Sequence, residues 1–200
     1  MPFRSILEFP SRRLQKKSSK ITDFDTAARI TADLIDTLNV CGGVGLSAPQ
    51  IGFNERVIFV KTPDFEGEMV NPQIMSAQNL HLLPESCLSL PGIFEQVERF
   101  DVVKVQYQVL NGETTTREFT GLPAQVVQHE IEHLDGKLIL NHMTRLKRSA
   151  AIRKIKKLQR KASGYIDDNF KEPEITKIKK NAHLSKKEIK IRKNHRKQNR

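Results

Sequence analysis

The chain has 200 residues, with 34 Lys or Arg against 23 Asp or Glu, a formal charge of +11. That length suits one compact domain with its own core plus an appendage, and the absence of any apolar run of about 18 residues predicts no membrane-spanning helix. Two cysteines, Cys41 and Cys87, are too few for a disulfide framework, so a reducing compartment, the cytoplasm by default, is expected.

Arg4 and Glu8 interrupt any signal-peptide core in residues 1–10. Arg12, Arg13, Lys16 and Lys17 admit an import segment, but residues 11–20 read more simply as a solvated loop. Thr22-Asp-Phe-Asp25 is a weak capping box and predicts a helix over about 23–39. Its inward stripe is Phe24, Ala27, Ala28, Thr31, Leu34, Ile35 and Leu38, and Cys41-Gly-Gly-Val-Gly45 ends it. Residues 57–60 form a short buried strand, and residues 69–71, before Pro72, are another candidate. Val103, Val105, Tyr107 and Val109 alternate with Lys104, Gln106 and Gln108 as a half-buried strand. Asn111-Gly112 then predicts a type I′ hairpin with residues 114–119 returning. Pro123 suits the first turn of a helix ending near Leu134, with Gly136 as its cap. A third helix is expected over about 143–163, with Met143, Ala151, Ile155, Leu158 and Ala162 on one side. Beyond Gly164 hydrophobicity fades, and residues 171–200 read as disordered or conditionally helical.

Charge divides the chain. Residues 1–136 carry 12 basic and 18 acidic side chains, a net of −6, while residues 137–200 carry 22 and 5, a net of +17. An acidic body followed by a basic tail suggests polyanion binding by the tail. The segment Arg145–Lys161 alone has nine Lys or Arg and no acid.

Chemistry concentrates in three places. In His129-Glu-Ile-Glu-His133 the histidines lie one helical turn apart on one face, so both imidazoles reach one metal ion, and Glu130 approaches its water without being a ligand. Read alone, the motif fits equally two surface histidines on an amphipathic helix. In Glu85-Ser-Cys-Leu-Ser89, Cys87 completes a Cys/His/His set with one open position, although a lone cysteine is more often a small buried hydrophobe. Gly43-Val-Gly-Leu-Ser-Ala-Pro-Gln50 is no phosphate loop; it is either a helix cap and turn or backbone brought close to a ligand, with Gln50 offering an amide donor.

In this order the three segments resemble the peptide deformylase family, whose motifs are G-Φ-G-Φ-A-A-x-Q, E-G-C-Φ-S and Q-H-E-Φ-D-H. Here they read GVGLSAPQ, ESCLS and QHEIEH, within a resemblance spanning roughly residues 3–160. Ser47 stands for the first alanine, Ser86 for the glycine before the cysteine and Glu132 for the aspartate. None removes a ligand, but Ser86 raises the question of a glycine-only backbone.

The resemblance implies an α+β fold of antiparallel sheets surrounding a central metal-binding helix, with a basic C-terminal helix. It implies removal of the formyl group from formyl-methionine of nascent polypeptides, releasing formate. One divalent metal ion is expected on Cys87, His129 and His133, ferrous iron first, with zinc, nickel or cobalt also fitting those donors. Glu130 is the expected acid/base; Gln50 and the backbone of Leu88 are the expected oxyanion donors. Val44 and Gly45 are expected to pair with the substrate backbone, and Val44, Gln125 and His129 to line the methionine pocket. Glu85 is expected behind a ligand histidine and paired with Arg99, a plain surface contact being the alternative. The division implied is a catalytic domain over 1–141, a basic helix over 142–164 that docks on the ribosome, and a basic tail over 165–200. A monomer without membrane contact is expected. Two rivals remain: another H-E-x-x-H hydrolase such as a peptidase, which leaves Cys87 and Gln50 idle, and a non-catalytic RNA-binding protein driven by the tail.

Overall fold

The computed structural model describes residues 3–161. The expected end of the third helix near 163, with Ala162, and the basic tail lie outside them. No helix among the described residues is long and apolar enough to cross a membrane.

Helix α1 spans Phe24–Cys41. Asp23, not Thr22, caps it: its carboxylate accepts from the backbone N–H groups of Asp25 and Thr26 at 3.1 and 3.3 Å. A carboxylate spanning two orphan amides at a positive helix end outcompetes a threonine hydroxyl one residue earlier. Ala27, Ile30, Leu34 and Leu38 are buried, while Ala28, expected inward, is exposed and Ile30 takes the inward place. Gly42 ends the helix at φ 69°, its N–H bonded to Leu38 O at 3.0 Å.

Five antiparallel strands follow, forming one sheet in sequence order: β1 Gly45–Ser47, β2 Val57–Thr62, β3 Phe65–Ser86, β4 Phe94–Gln108 and β5 Thr114–Thr120. The uninterrupted Val57-Ile-Phe-Val60 has a simple cause. Val57 and Phe59 pack with Ile30, Leu34 and Leu38 of α1, whereas Ile58 and Val60 pack on the opposite face with Val127, Ile131 and Leu134. Both faces are buried, so neither carries polar residues. The sequence located only residues 69–71 of β3, because register shifts after Val70 and Ile74, with Asn71 at φ 53°, destroy the two-residue alternation. The β4–β5 turn also departs from the type I′ expectation. Gly112 N–H bonds Val109 O at 2.9 Å, placing Leu110 and Asn111 at the turn's centre. Of Asn111 and Gly112 only the glycine has positive φ, 88°, as in a turn closed by a glycine bulge.

Helix α2 spans Gly121–Leu134, starting two residues before Pro123. Its Ala124, Val127, Ile131 and Leu134 pack against the inner residues of β2, β4 and β5, including Val103, Val105 and Phe119. Gly136, at φ 72°, follows; a Cβ there would lie 2.6 Å from Gln15 O, so conformation and space both demand glycine. Arg56 secures this end, donating to Leu134 O and to the Asp135 carboxylate at 3.3 and 2.7 Å.

Helix α3, Arg145–Lys161, inserts Ala151 and Ile155 into a third core with Leu7, Phe9, Cys87, Leu90 and Ile93. Met143 precedes this helix and is partly buried; Leu158 is only half covered, against Gly92. Among the described residues the architecture is thus α+β, one five-stranded antiparallel sheet with three α-helices.

Candidate metal centre and active site

The ordinary geometry of α2 brings His129 and His133 to one face, their ring centroids 4.9 Å apart. Cys87 arrives from the bend after β3, and its Sγ lies 3.2 Å from His133 Nε2. The three potential ligand atoms of Cys87, His129 and His133 all lie within 4.8 Å of one another. Cys87 and His133 are buried, at 8 and 1 % exposure. His129 Nδ1 meets Glu85 Oε2 at 3.0 Å, leaving Nε2 for the site. Burial opposes protonation of both imidazoles; Cys87 and Glu85 nevertheless push His129 well up, whereas His133, beside His129, is driven well down. A sulfur and two imidazoles converging at a mostly buried site fit one metal ion and leave a coordination position free.

Glu130 is also buried, and its Oε2 has no hydrogen-bond partner. Burial pushes its carboxyl up to about 7, against the pull of His129. Its neighbour is the loop after α1. A Cβ on Gly45 would fall 2.6 Å from Val126 Cγ1 and 2.8 Å from Glu130 Oε1, so the glycine is required for β1 to pass this close to the carboxylate. β1 pairs only with β2 among the described residues, leaving its other edge toward the pocket.

Gln50 is 2 % exposed and firmly oriented. Its Oε1 accepts from the Ser47 N–H at 2.9 Å and the Ser47 hydroxyl at 2.8 Å, which turns Nε2 toward Ser89 Oγ at 3.2 Å and Cys87 Sγ at 3.7 Å. Ser47 therefore does more than replace one small residue by another: it fixes the amide rotamer. Sequence reading noted Ser47 only as a small replacement for an alanine and gave Ser89 no role; their spacing within each motif was the available signal.

Behind His129 stands an ionic chain. Arg99, 2 % exposed, donates from Nε and Nη2 to the two oxygens of Glu85 at 2.7 and 3.0 Å, and from Nη2 to Glu132 at 2.8 Å. Burial acts against ionisation of Glu85, but His129 and Arg99 overcome it and hold the carboxyl at about 2. Glu132 uses its longer reach to meet His142 Nε2 as well, at 2.9 Å. Ser86 lies at the end of β3 without a positive φ, so the missing glycine costs no backbone strain.

A cavity of about 490 Å³ opens onto this site. Val44, Gly45, Gln50, Leu88, Gln125, His129 and Glu130 line it. Gln125 is additionally tied to Pro84 O and Glu85 Oε1, at 3.1 and 3.3 Å. Leu90, Leu122, Val126 and Phe94, which sequence reasoning passed over, supply much of the apolar wall. Cys41 is exposed at the end of α1 and is not one of the three clustered donors.

A Cys/His/His donor set, a carboxylate with one unpartnered oxygen beside it and an oriented amide define a metallohydrolase site. The sequence profile described as polypeptide deformylase matches residues 3–149. Peptide deformylase 1 of Burkholderia multivorans is 36 % identical over 165 residues, covering 80 % of this chain and 91 % of that protein. The Acidobacterium capsulatum peptide deformylase is 36 % identical over 166 residues, covering 80 % and 98 %. Among solved structures, the Legionella pneumophila peptide deformylase superposes with a TM-score of 0.77 at 33 % identity, over 82 % of this chain and all of that one. The Ehrlichia chaffeensis peptide deformylase in complex with actinonin gives 0.77 at 32 % identity, over 80 % and 99 %. The chain belongs to the polypeptide deformylase family.

Proposed function

We propose that this protein is a metal-dependent hydrolase that removes the N-terminal formyl group from formyl-methionyl nascent polypeptides, using α2 as its metal-binding helix. Family membership supports the activity, and the observation that carries the mechanism is the unpartnered Glu130 oxygen beside the Cys87, His129 and His133 donors. Those three residues would hold one ion, ferrous iron in the cell, with zinc, nickel or cobalt compatible with the same donors. When bound, the ion would polarise the formyl carbonyl and acidify water. Glu130 takes the proton of the attacking water and delivers it to the departing amine, so that water and formamide become formate and a free α-amino group. Gln50 Nε2 and the backbone N–H of Leu88 donate to the oxyanion. Val44 and Gly45 offer the open edge of β1 to the substrate backbone as an added strand, while Val44, Gln125 and His129 flank the methionine side chain. Glu85, fixed by Arg99, orients His129.

Formate release from formyl-Met-Ala-Ser, with the unformylated peptide as control and actinonin as competitor, tests the activity. Cleavage of the unformylated peptide would instead indicate a peptidase. Gln50→Ala is expected to lower kcat by about a hundredfold while metal content, measured by elemental analysis, stays near one per chain. Equal losses of metal and turnover would contradict its role as an oxyanion donor.

We divide the chain into a catalytic part over 1–141, a docking helix over 142–164 and a basic tail over 165–200, acting as a monomer in the cytoplasm. The net +17 of residues 137–200 supports ribosome docking through counterion release at the phosphate surface. Arg153, Lys156 and Lys157 are exposed on α3. Reversing all three to Glu is expected to weaken co-sedimentation with ribosomes, flatten its salt dependence and spare turnover of the tripeptide. A chain ending at Gly164 should keep weakened binding and one ending at Asn141 should lose it. Equal binding by all of these proteins would refute the docking role.

A further inference from the structure

Beyond the pocket, the paired arms of β3 and β4 form a two-faced ribbon. Its register sets Leu80 opposite Phe100, Leu82 opposite Glu98, Pro84 opposite Gln96 and Ser86 opposite Phe94. Alternation sends the intervening Glu85, Val97 and Arg99 to the buried face, behind the metal ligands. Each of these rungs carries at least one exposed apolar side chain on the outer face, among Ser86, Gln96 and Glu98. Leu80 is 51 % exposed, Leu82 64 %, Phe94 77 % and Phe100 36 %. Isolated exposed leucines need no explanation, but a run on successive rungs of one face marks a binding surface. Phe94, Pro84 and Leu122 also line the active-site cavity, so the strip begins where the cavity ends.

Resting on the deformylase reading above, we propose that this strip is an extended subsite for the fourth to about seventh residues of the substrate polypeptide, selecting apolar side chains. The rungs from Phe94 to Phe100 span seven residues of strand, about 20 Å, long enough for the four substrate residues, which extend over about 13 Å. A substrate held by its formyl-methionine has its remaining chain outside the pocket, and the strip is the apolar surface continuous with the pocket rim. Glu98 stands among these residues and is exposed. It disfavours acidic side chains in the substrate, and it argues against a second copy as occupant: laying one strip on another would bury this carboxylate, whereas a single peptide leaves it at the rim in water. The strip acts by side-chain packing, which does not reach the first three substrate residues.

The test uses the full-length, metal-loaded protein and three substrates: formyl-Met-Ala-Ser, formyl-Met-Ala-Ser-Leu-Val-Leu-Phe and formyl-Met-Ala-Ser-Ser-Gly-Asn-Ser. The apolar seven-residue peptide is expected to exceed its polar counterpart about tenfold in kcat/KM, mostly through KM. The double substitution Leu80→Ser, Leu82→Ser should reduce that advantage to about twofold or less, with the tripeptide rate showing that the catalytic site is intact. Equal kcat/KM for the two long peptides, or an advantage that survives the double substitution, would overturn the proposal. So would a concentration-dependent dimer in analytical ultracentrifugation that the double substitution abolishes, which would assign the strip to a second copy. Hydrolysis of the tripeptide alone separates failure of this subsite from failure of the deformylase reading; if no formylated peptide is hydrolysed, both fall.

Discussion

Glu130→Gln should retain its metal and lose about two to four orders of magnitude in turnover. The substitution keeps shape and size, so the close packing of Gly45 and Val126 around this side chain survives. What it removes is the ability to accept and return a proton. Because the ligand atoms belong to Cys87, His129 and His133, elemental analysis should still find about one ion per chain. A second readout separates catalysis from folding. Glu130 is 3 % exposed, with one oxygen unpartnered, and a buried carboxylate in that state contributes little to stability. The melting temperature of the glutamine variant should therefore equal or exceed the parent's. Near-normal formate release from the variant would remove Glu130 from the acid/base role; loss of metal with loss of activity would mean that it serves as a ligand.

The pattern of what was legible in the sequence follows from the range of the interactions involved. The α2 site was legible because a four-residue spacing on a helix translates directly into one face, and Cys87 and Gln50 were legible through motifs spanning only a few residues. The turn from Gly43 to Gln50 could be read as an approach to a ligand, but not as an approach to Glu130: that constraint is a Cβ clash between segments 85 residues apart, visible only in three dimensions. Ser47 illustrates the same limit. By composition it is a neutral replacement; in space its hydroxyl and N–H hold both hydrogen bonds that turn Gln50. Glu132 likewise extends a local charge into a chain through Arg99 to Glu85, spanning three elements. β3 was largely illegible because its register shifts interrupt alternation and its outer arm exposes apolar residues on the wrong face for a water-facing strand. The features that violated simple patterning are thus the ones that build or border the site.

Cys87→Ala should reduce bound metal to background and abolish formate release, while the fold persists. The thiolate is the donor that separates this site from a pair of helical histidines, and without it two imidazoles remain, a set that binds divalent ions far more weakly. Cys87 also packs with Leu90, Ile93 and Ile155, so the substitution leaves a small void as well. One sulfur at the margin of that core costs on the order of 1 kcal/mol, too little to unfold the domain. Circular dichroism should accordingly be preserved, and the melting temperature should no longer rise when ferrous iron, zinc or nickel is added, since the stabilisation by a bound ion disappears with its affinity. Cys41→Ala supplies the matched control. That thiol is exposed at the end of α1 and outside the donor cluster, so its removal should change neither metal content nor turnover. Stoichiometric metal in Cys87→Ala, or an equal loss in Cys41→Ala, would show that the thiol ligand had been wrongly chosen. Purification without oxygen matters to the comparison: a thiolate in this position is open to oxidation, and ferrous iron can be replaced by zinc during handling, so parent and variants must be loaded with the same ion before they are assayed.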